Sequence, residues 1–256
     1  MKQSRPQSQE GLTEMHPEVE IIGLTLPVSV GETGEVTVKD DLEGNLVDRA
    51  IAYDGRTCYQ TNEKANPDSD LILIKRMAKS GHTSVFEHAN VTILIRGASR
   101  IFTHQEVRHR HQAISQESQR YCDEGNFGYI VPPSIKEAGI QIVYGKMVEE
   151  ARQNYLELQR LLKEAKKDGL LSADRKTNED ARFILPNAVQ SEIVITPNFT
   201  ELRNMFIKRL TTHAQWEIFE VFSLILVEIV KVTHVFDDIN EHFEAQGNLD
   251  TFKMAV

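Results

Sequence analysis

Apolar and polar residues alternate in several short segments of the chain, a pattern that predicts strands. Residues 19–30 are rich in Val, Ile, Leu and Thr and predict one strand, and residues 36–38 predict a returning strand after a turn. Residues 91–95 are apolar on both faces and predict a buried strand that Gly97 ends. Residues 192–196 predict a further strand. The predicted strands are thus spread along the chain.

Apolar residues at helical spacing predict helices between these strands. The predicted helices cover residues 46–53, 71–80, 134–169 and 178–185. A further helix is predicted to start at Asn198, with Glu201 completing an asparagine version of the capping box. Spacing that runs from Ala98 to Gln105 predicts that Arg108 lies on the same helix face as Gln105. Residues 219–235 are apolar nearly all round, which indicates deep burial or a subunit interface.

Composition and charge narrow the class of protein. The chain has 256 residues and a net charge of −9, so a general affinity for nucleic acid is not expected. Two cysteines provide no disulfide framework and the polar N-terminus lacks a signal-peptide core, which predicts a cytoplasmic protein. The most apolar run, residues 218–230, contains Glu220 and Glu228 and is too short to span a bilayer, so no membrane partner is expected.

One polar stretch concentrates the candidate chemistry. Residues 108–121 contain three arginines, two histidines, two serines and a glutamate between apolar segments. Arginine presents several donors in one plane and suits phosphate and planar carbonyl groups. Together with Arg96 and Arg100, this stretch predicts a local anion-binding cluster in an otherwise acidic protein. The alternative is a solvated surface segment whose charges bind no ligand.

The same stretch resembles a known enzyme family. Arg108-His109-Arg110, followed after seven residues by Ser118 and then by Gln119-Arg120-Tyr121, is similar to the signature of the flavin-dependent thymidylate synthases. Further runs resemble that family in the expected order, and they lie at residues 56–59, 81–88, 182–186 and 198–216.

The resemblance implies a fold and an assembly. It implies a single-domain α+β fold with a central antiparallel sheet flanked by helices, spanning residues 18–245. We expect residues 1–17 to be a disordered N-terminal tail and residues 246–256 to be a C-terminal tail. The family works as a homotetramer whose active sites are each assembled from several subunits.

The resemblance also implies a reaction, the reductive methylation of dUMP to dTMP. Methylenetetrahydrofolate would supply the carbon, and FAD reduced by NADPH would supply the hydride. Two negative observations agree with it. No Gly-x-Gly-x-x-Gly fingerprint follows a strand, and neither Cys58 nor Cys122 sits in the motif of the folate-only thymidylate synthases, which need a cysteine nucleophile.

The resemblance also implies roles for individual residues. The dUMP contacts implied by the resemblance are Gln105, Arg108, Gln116, Glu117, Ser118, Arg120, Arg182 and Arg209. The implied FAD contacts are Ser84, Arg108, His109, Arg110, Gln116, Asn198, Thr200 and Asn204. Arg209 takes the catalytic place of the arginine that activates the pyrimidine at N3. Ala113 and Thr200 are departures, since many members have serine and arginine there.

Several alternatives stay open at this stage. The arginine cluster is also compatible with a nucleic-acid-binding module, and His104, His109 and His111 with a metal hydrolase. His82 and His88 are two potential metal ligands, but no further ligands are fixed by spacing, and we expect no metal. For Cys58 we expect a small buried thiol rather than a nucleophile. Arg182 is compatible with a surface ion pair to Glu179 or Asp180 and with a nucleotide ligand, and the resemblance favours the ligand.

Overall fold

The computed structural model describes residues 12–39, 41–245 and 247. The strands within these residues are β1 (Glu18–Leu24), β2 (Val28–Val30), β3 (Val36–Val38), β4 (Val91–Ser99), β5 (Gln112–Gln116) and β6 (Gln190–Pro197). The helices are α1 (Leu46–Thr57), α2 (Pro67–Ser80), α3 (Arg100–Glu106), α4 (Pro133–Glu137), α5 (Gln141–Lys167), α6 (Thr177–Ala181), α7 (Phe199–Arg209), α8 (Trp216–Ile229) and α9 (Asp237–Ala245). Short 3₁₀ turns cover Asn62–Lys64, Thr83–Glu87 and Arg182–Ile184.

A four-stranded antiparallel sheet carries strands in the order β1, β4, β6, β5. On β4 and β6, Thr92 and Thr196 join their hydroxyl groups at 3.1 Å. Strands β2 and β3 form a separate antiparallel ribbon in which Val28 lies opposite Val38. The α+β class and the antiparallel sheet expected from the resemblance are confirmed.

Contacts divide the chain into two compact units. The first unit comprises the described residues up to Pro17, Arg96–His104 and Gln116–Ile193. The second comprises Glu18–Ile95, Gln105–Ser115 and the described residues from Val194 onward. The domain limits of 18 and 245 stay a prediction.

Within the first unit, the N-terminal residues are paired with a later segment. Met15 donates its backbone N–H to the carbonyl of Tyr129, and Tyr129 donates to the carbonyl of Thr13, both within 3.0 Å. Residues 13–15 of the expected disordered tail are therefore structured, because Tyr129 satisfies their backbone groups. Residues 1–11, and all of the expected C-terminal tail except Gly247, lie outside the described residues.

Two glycines of the first unit correct the predicted elements. Gly97 does not end its strand but lies within β4 at φ +64°, where a Cβ would stand 2.1 Å from the carbonyl oxygen of His16. Only glycine fits that combination of backbone conformation and close approach. Gly139, at φ +67°, separates α4 from α5, so the long helix predicted over residues 134–169 is two helices.

The second unit is built on helices whose ends carry clear caps. Asn45 accepts from the backbone of Val47 and Asp48 at the start of α1, and Asn66 and Ser69 form a capping box on α2. Gly81 ends α2 in the left-handed conformation. The strand predicted over residues 19–30 is interrupted between β1 and β2.

Apolar side chains form the core of the second unit. Helix α8 packs on α7 and on β1. Phe206 on α7 meets Phe222 on α8 and Phe236 with near-perpendicular rings, 6.1 and 5.5 Å between centroids. Edge-to-face contacts of this kind add to the burial of fully enclosed side chains. This aromatic core supports the last turn of α7, where Arg209 lies.

Candidate active site

The predicted site residues occur in both units. The first unit contains Gln116, Glu117, Ser118, Arg120 and Arg182. The second contains Ser84, Gln105, Arg108, His109, Arg110, Asn198, Thr200, Asn204 and Arg209.

In the first unit, the signature serine stands in a turn that follows β5. Gln116 ends the strand and donates its amide to Thr103 Oγ1 and Ser191 Oγ at 2.9 and 3.1 Å. The Ser118 carbonyl accepts from Cys122 N at 2.9 Å, while its Oγ accepts from Arg120 N at 3.4 Å. The turn thus fixes the Ser118 backbone and leaves its hydroxyl hydrogen able to donate.

An open cavity of about 250 Å³ lies in the same unit. Its lining residues are Arg100, His104, Gln119, Arg182, Phe183, Leu185, Pro186 and Asn187. Two arginines make one part of the wall cationic, and the rest combines the apolar Phe183, Leu185 and Pro186 with the polar His104, Gln119 and Asn187. Such a cavity suits a ligand with an anionic end and a planar or apolar body.

Arg100 and Arg182 place two positive charges in this cavity. Burial lowers the pKa of Arg100, the nearby Arg182 charge lowers it further, and Glu124 and Glu117 act in the opposite direction. An anion bound between two guanidinium groups would relieve their repulsion and use their forked donors.

The ion pairs around Arg182 argue against one of its two sequence interpretations, the surface ion pair, and its role as a nucleotide ligand stays a prediction. Arg120 pairs with Glu179 at 2.9 Å and Arg175 pairs with Asp180 at 2.8 Å. Within the described residues, Arg182 donates only its Nε–H, to the backbone carbonyl of Glu179 at 3.1 Å. Arg182 is therefore not the surface partner of either carboxylate, and it lines the cavity instead.

Sequence reasoning missed two members of this wall. His104 appeared only as a potential metal ligand and Arg100 only as part of a charge cluster. The usable signal was their spacing of four residues, which puts both on one side of α3. Among the residues lining the cavity, only Arg182 was assigned to the nucleotide. Glu117, Ser118 and Arg120 are not among those lining residues.

In the second unit, the Arg-His-Arg motif lies on the loop that joins α3 to β5. Helix α3 ends at Glu106, so Arg108 lies beyond it and not on the helix face of Gln105 as predicted. Arg108 N donates to the Gln105 carbonyl and His109 N to the Glu106 carbonyl, at 3.2 and 3.0 Å. These bonds shape the loop so that Arg108 and Arg110 are exposed and His109 is buried.

His109 and Arg209 form the central contact of this unit. Arg209 donates its Nε–H to His109 Nε2 at 3.0 Å, and the imidazole ring lies 6.0 Å from the ring of Phe222. Burial, followed by the charges of Arg209 and Lys208, lowers the pKa of His109 to about 4. The imidazole is therefore neutral at neutral pH, with its proton on Nδ1, 3.9 Å from Glu201 Oε1.

The start of α7 brings three predicted cofactor residues together. Asn198 caps the helix by accepting from Glu201 N at 2.8 Å, as predicted, but the Glu201 side chain does not complete the predicted capping box. Thr200 donates its hydroxyl to the carbonyl of Thr83 at 2.6 Å, next to Ser84 in the 3₁₀ turn. Thr200 thus connects the Ser84 turn to α7, a role that its short hydroxyl can play and a long arginine side chain would not.

Several hydrogen-bond donors of the second unit are exposed. The guanidinium groups of Arg108 and Arg110 form no hydrogen bond or ion pair within the part of the chain that the structure describes. Ser84 and Asn204 are exposed as well. Guanidinium N–H groups that have no partner within the described residues suit a pyrophosphate. Hydroxyl and amide groups suit the carbonyl and imide edge of an isoalloxazine.

The structure also bears on the hypotheses about metal ligands, about the Arg56–Tyr59 run and about membrane helices. Among the described residues, no group of three or more His, Cys, Asp and Glu side chains is arranged to hold a metal ion. Cys58 is exposed, contrary to the expected burial, because it lies at the C-terminal end of α1 on its solvent side. Arg56 of the same run is structural, since it donates to Asp70 at 2.8 Å in a buried pair. None of the described helices is long and apolar enough to cross a membrane.

Comparisons with known proteins agree with the motifs. A family model described as thymidylate synthase complementing protein matches residues 44–233. A flavin-dependent thymidylate synthase of Corynebacterium glutamicum is 35% identical over 228 residues, 87% of this chain and 89% of the relative. One of Pyrococcus abyssi is 40% identical over 185 residues, 71% of each chain. One of Mycobacterium sp. (strain JLS) is 34% identical over 223 residues, 83% of this chain and 87% of the relative.

Proposed function

Because the chain belongs to the flavin-dependent thymidylate synthase family, we propose that it converts dUMP to dTMP by reductive methylation. Methylenetetrahydrofolate supplies the one-carbon unit and NADPH the reducing equivalents. FAD, when bound, carries the hydride chemistry. The observation that carries the proposal for this chain's own residues is the pairing of Arg209 with a neutral His109.

Arg209 is suited to stabilise charge on a pyrimidine. Its Nε is used by His109, and no other hydrogen bond of its guanidinium group occurs within the described residues. The four N–H bonds on the two Nη atoms therefore remain for the substrate. We assign them to N3 and a ring carbonyl, where negative charge develops as uracil C5 becomes nucleophilic. A neutral His109 orients the guanidinium without adding a second positive charge.

The cavity of the first unit is suited to the phosphate of a nucleotide. We assign its arginines, Arg182 and Arg100, to the phosphate, which is close to a dianion at neutral pH. Ser118 donates its hydroxyl hydrogen to the substrate, and Arg120 contributes charge nearby. Gln116, Glu117, Gln105 and Arg108 complete the proposed nucleotide contacts that follow from the family motif.

The cofactor is assigned to donors of the second unit. Arg108 and Arg110 would hold its phosphates, and Ser84, Asn198 and Asn204 its polar edges. His109 lies beside them in sequence and Gln116 follows at the end of β5. Thr200 acts through the backbone of Thr83, so we assign it the support of the Ser84 turn.

We propose that the enzyme is a cytoplasmic homotetramer with shared active sites. Large apolar side chains of α5 support an assembly, since Ile142, Val143 and Met147 are 77%, 52% and 63% exposed. The assembly would decide which copy contributes Arg209 to a given nucleotide cavity. Light scattering at several protein concentrations tests the proposed tetramer.

Two measurements test the proposed function together. The purified protein should show the visible absorption of an oxidised flavin, either directly or after incubation with FAD and desalting. It should then release tritium from dUMP labelled at C5 only when methylenetetrahydrofolate and NADPH are present. Omission of each co-substrate in turn is the control. A protein that stayed colourless, or that formed no dTMP with all components, would contradict the proposal.

A further inference from the structure

A buried glutamate closes the loop that carries the Arg-His-Arg motif. Glu106 is the last residue of α3 and is completely buried. Gln112, the first residue of β5, donates its amide Nε2 to Glu106 Oε1 at 2.7 Å. The same Nε2 lies 3.2 Å from the His109 carbonyl oxygen. We call the Glu106–Gln112 pair the loop clasp, because it joins the two ends of residues 107–111.

The loop clasp determines where His109 is held. The backbone of His109 is bonded on both sides, through its N–H to the Glu106 carbonyl and through its carbonyl to Gln112. Its ring, in turn, accepts from Arg209. A change at Glu106 is therefore transmitted to Arg209 through one loop and one ring.

Two acceptors in the loop clasp lack a donor. Glu106 Oε2 and Gln112 Oε1 are buried, and neither has a hydrogen-bond partner among the described residues. They are the second oxygen of the carboxyl group and the oxygen of the amide group whose other atoms, Glu106 Oε1 and Gln112 Nε2, form the 2.7 Å hydrogen bond. If Glu106 is ionised, both are acceptors and both are left unsatisfied, which is costly in a buried site. A proton on Oε2 would turn this oxygen of Glu106 into a donor, and Gln112 Oε1 is the acceptor that a paired acid–amide ring would use.

The charges around Glu106 are mixed. Arg209 and Glu201 face it from α7, and His109, which is neutral, lies on the loop. Burial raises the pKa of Glu106 to about 7, and the charge of Glu201 also raises it. The hydrogen bond from Gln112 and the charge of Arg209 lower the pKa but do not cancel the effect of burial. A buried carboxyl of this kind is protonated in part at neutral pH.

We propose that Glu106 is a positioning residue for Arg209, acting as a neutral acid that pairs with Gln112 and holds the loop clasp closed. The inference rests on the proposed methylation of dUMP, because it gives Glu106 a task only if Arg209 acts on the pyrimidine. With Glu106 neutral, the charge of Arg209 is left for the substrate. With Glu106 ionised, the loop clasp loses one donor and a carboxylate competes for that charge.

The proton itself can be observed without any cofactor or substrate. Infrared spectra of protein labelled with ¹³C-glutamate should contain the carbonyl stretch of a protonated carboxylic acid at pH 6, and this band should be missing in Glu106→Gln. Glu150→Gln, at an exposed position of α5, is the matched control and should keep the band. Absence of the band from the wild-type protein at pH 6 would overturn the neutral pair.

Kinetics test the positioning role. Glu106→Gln imitates the neutral acid, since its amide can both donate to and accept from Gln112. Above the pKa of Glu106, the wild type should lose kcat for tritium release as Glu106 ionises, whereas Glu106→Gln should not. We therefore expect the ratio of the kcat of the variant to that of the wild type to rise about tenfold per pH unit above that pKa. Below the pKa of Glu106, Glu106→Leu should have a kcat about tenfold or more lower than that of the wild type, with little change in the KM for dUMP.

The outcomes separate the two proposals. A constant ratio across pH 6–9, or normal kcat in Glu106→Leu with normal folding by circular dichroism, would overturn the positioning role. If the wild-type holoenzyme formed no dTMP, the proposed function and the positioning role would both fall. The infrared band would still decide whether the loop clasp carries a proton.

Discussion

Arg209 Nε donates a hydrogen bond to Nε2 of a neutral His109 over 3.0 Å, joining the last turn of α7 to the loop before β5. The contact uses the N–H of Nε, the guanidinium nitrogen nearest the aliphatic part of the side chain. The N–H groups of the two Nη atoms make no hydrogen bond within the described residues. A basic residue at the edge of an aromatic core is therefore oriented by a group that does not neutralise it.

Replacing Arg209 tests its assigned role. We expect Arg209→Ala to keep its fold and its flavin but to lose about 10²- to 10³-fold in kcat for tritium release, the usual effect of removing a preorganised charge. Arg209→Lys should recover little, because lysine has no fork and cannot both contact His109 and pair with a ring edge. Arg160→Ala, at an exposed ion pair of α5, is the control. Near-normal tritium release by Arg209→Ala would refute the assignment.

The neutrality of His109 predicts how stability responds to acid. Its pKa in the fold, about 4, lies below the ordinary value of 6.5. Below pH 6.5 the unfolded chain takes up a proton that the folded chain resists, so stability falls as the pH drops from 6.5 to about 4. The loss is at most about 3 kcal/mol.

Urea unfolding of wild type and His109→Asn between pH 4 and 7 measures this effect. Histidine-selective NMR provides a second check, because ¹⁵N shifts should place the ring proton on Nδ1 at pH 7. A His109 that titrates in the folded protein near pH 6.5 would contradict the prediction.

Glu106 predicts a pH dependence of the opposite sign. Its pKa in the fold, about 7, lies above the ordinary value of 4.5. The unfolded chain releases its proton first as the pH rises, so the stability that the neutral acid contributes is lost between pH 4.5 and about 7. The loss is at most about 3 kcal/mol, and Glu106→Gln should remove it. Identical pH profiles for the two proteins in urea unfolding would count against it.

The cavity of the first unit predicts the nucleotide affinity. We expect Arg182→Ala to weaken dUMP binding about 10- to 100-fold by calorimetry, since it removes a charge-assisted phosphate contact. Arg100→Ala should act in the same direction. Arg175→Ala is the matched control, because that exposed arginine pairs with Asp180 and does not line the cavity.

The signature serine predicts a smaller effect. Ser118→Ala should weaken dUMP binding by about tenfold or less, the range of one hydrogen bond between uncharged groups. Unchanged affinity in the serine variant would remove Ser118 from the site, and unchanged affinity in both arginine variants would move the phosphate elsewhere.

Thr200 predicts a change in flavin retention rather than in chemistry. Thr200→Val keeps the shape of the side chain but removes the hydrogen bond to the Thr83 carbonyl, at a cost of about 1 kcal/mol. We expect the Ser84 turn to loosen and FAD to dissociate more readily, as measured by fluorescence of released flavin. Thr200→Ser, which keeps the hydroxyl, should behave as wild type. Equal FAD retention in Thr200→Val would show that the bond does not support the cofactor.

Features encoded by neighbouring residues were predictable from sequence, and features that depend on distant approach were not. The cap at Asn198 follows from two residues three positions apart, and it appears as predicted. The place of Gly97 inside β4 depends on the His16 carbonyl, some eighty residues away in sequence. Arg108 could not be placed because spacing does not say where α3 ends.

In the candidate site, too, local motifs were predictable from sequence and the approach of distant segments was not. Motif matching identified Arg182 and Arg209, which contribute to the cavity and to the His109 contact. Arg100 and His104 belong to a wall that exists only because residues 182–187 return to α3, and no local pattern reports that return. The proton that completes the loop clasp depends on the burial of Glu106, which sequence spacing alone does not give.

The passage of His16 over Gly97 makes two mutations interdependent. In the full chain, alanine at position 97 meets a carbonyl oxygen and also carries the cost of a left-handed backbone. In a chain that lacks residues 1–17, the His16 carbonyl is gone, and only the cost of the left-handed backbone, about 1 kcal/mol, remains. The same substitution should therefore be severe in one background and mild in the other, a form of epistasis that a double-mutant cycle would measure as non-additive stability.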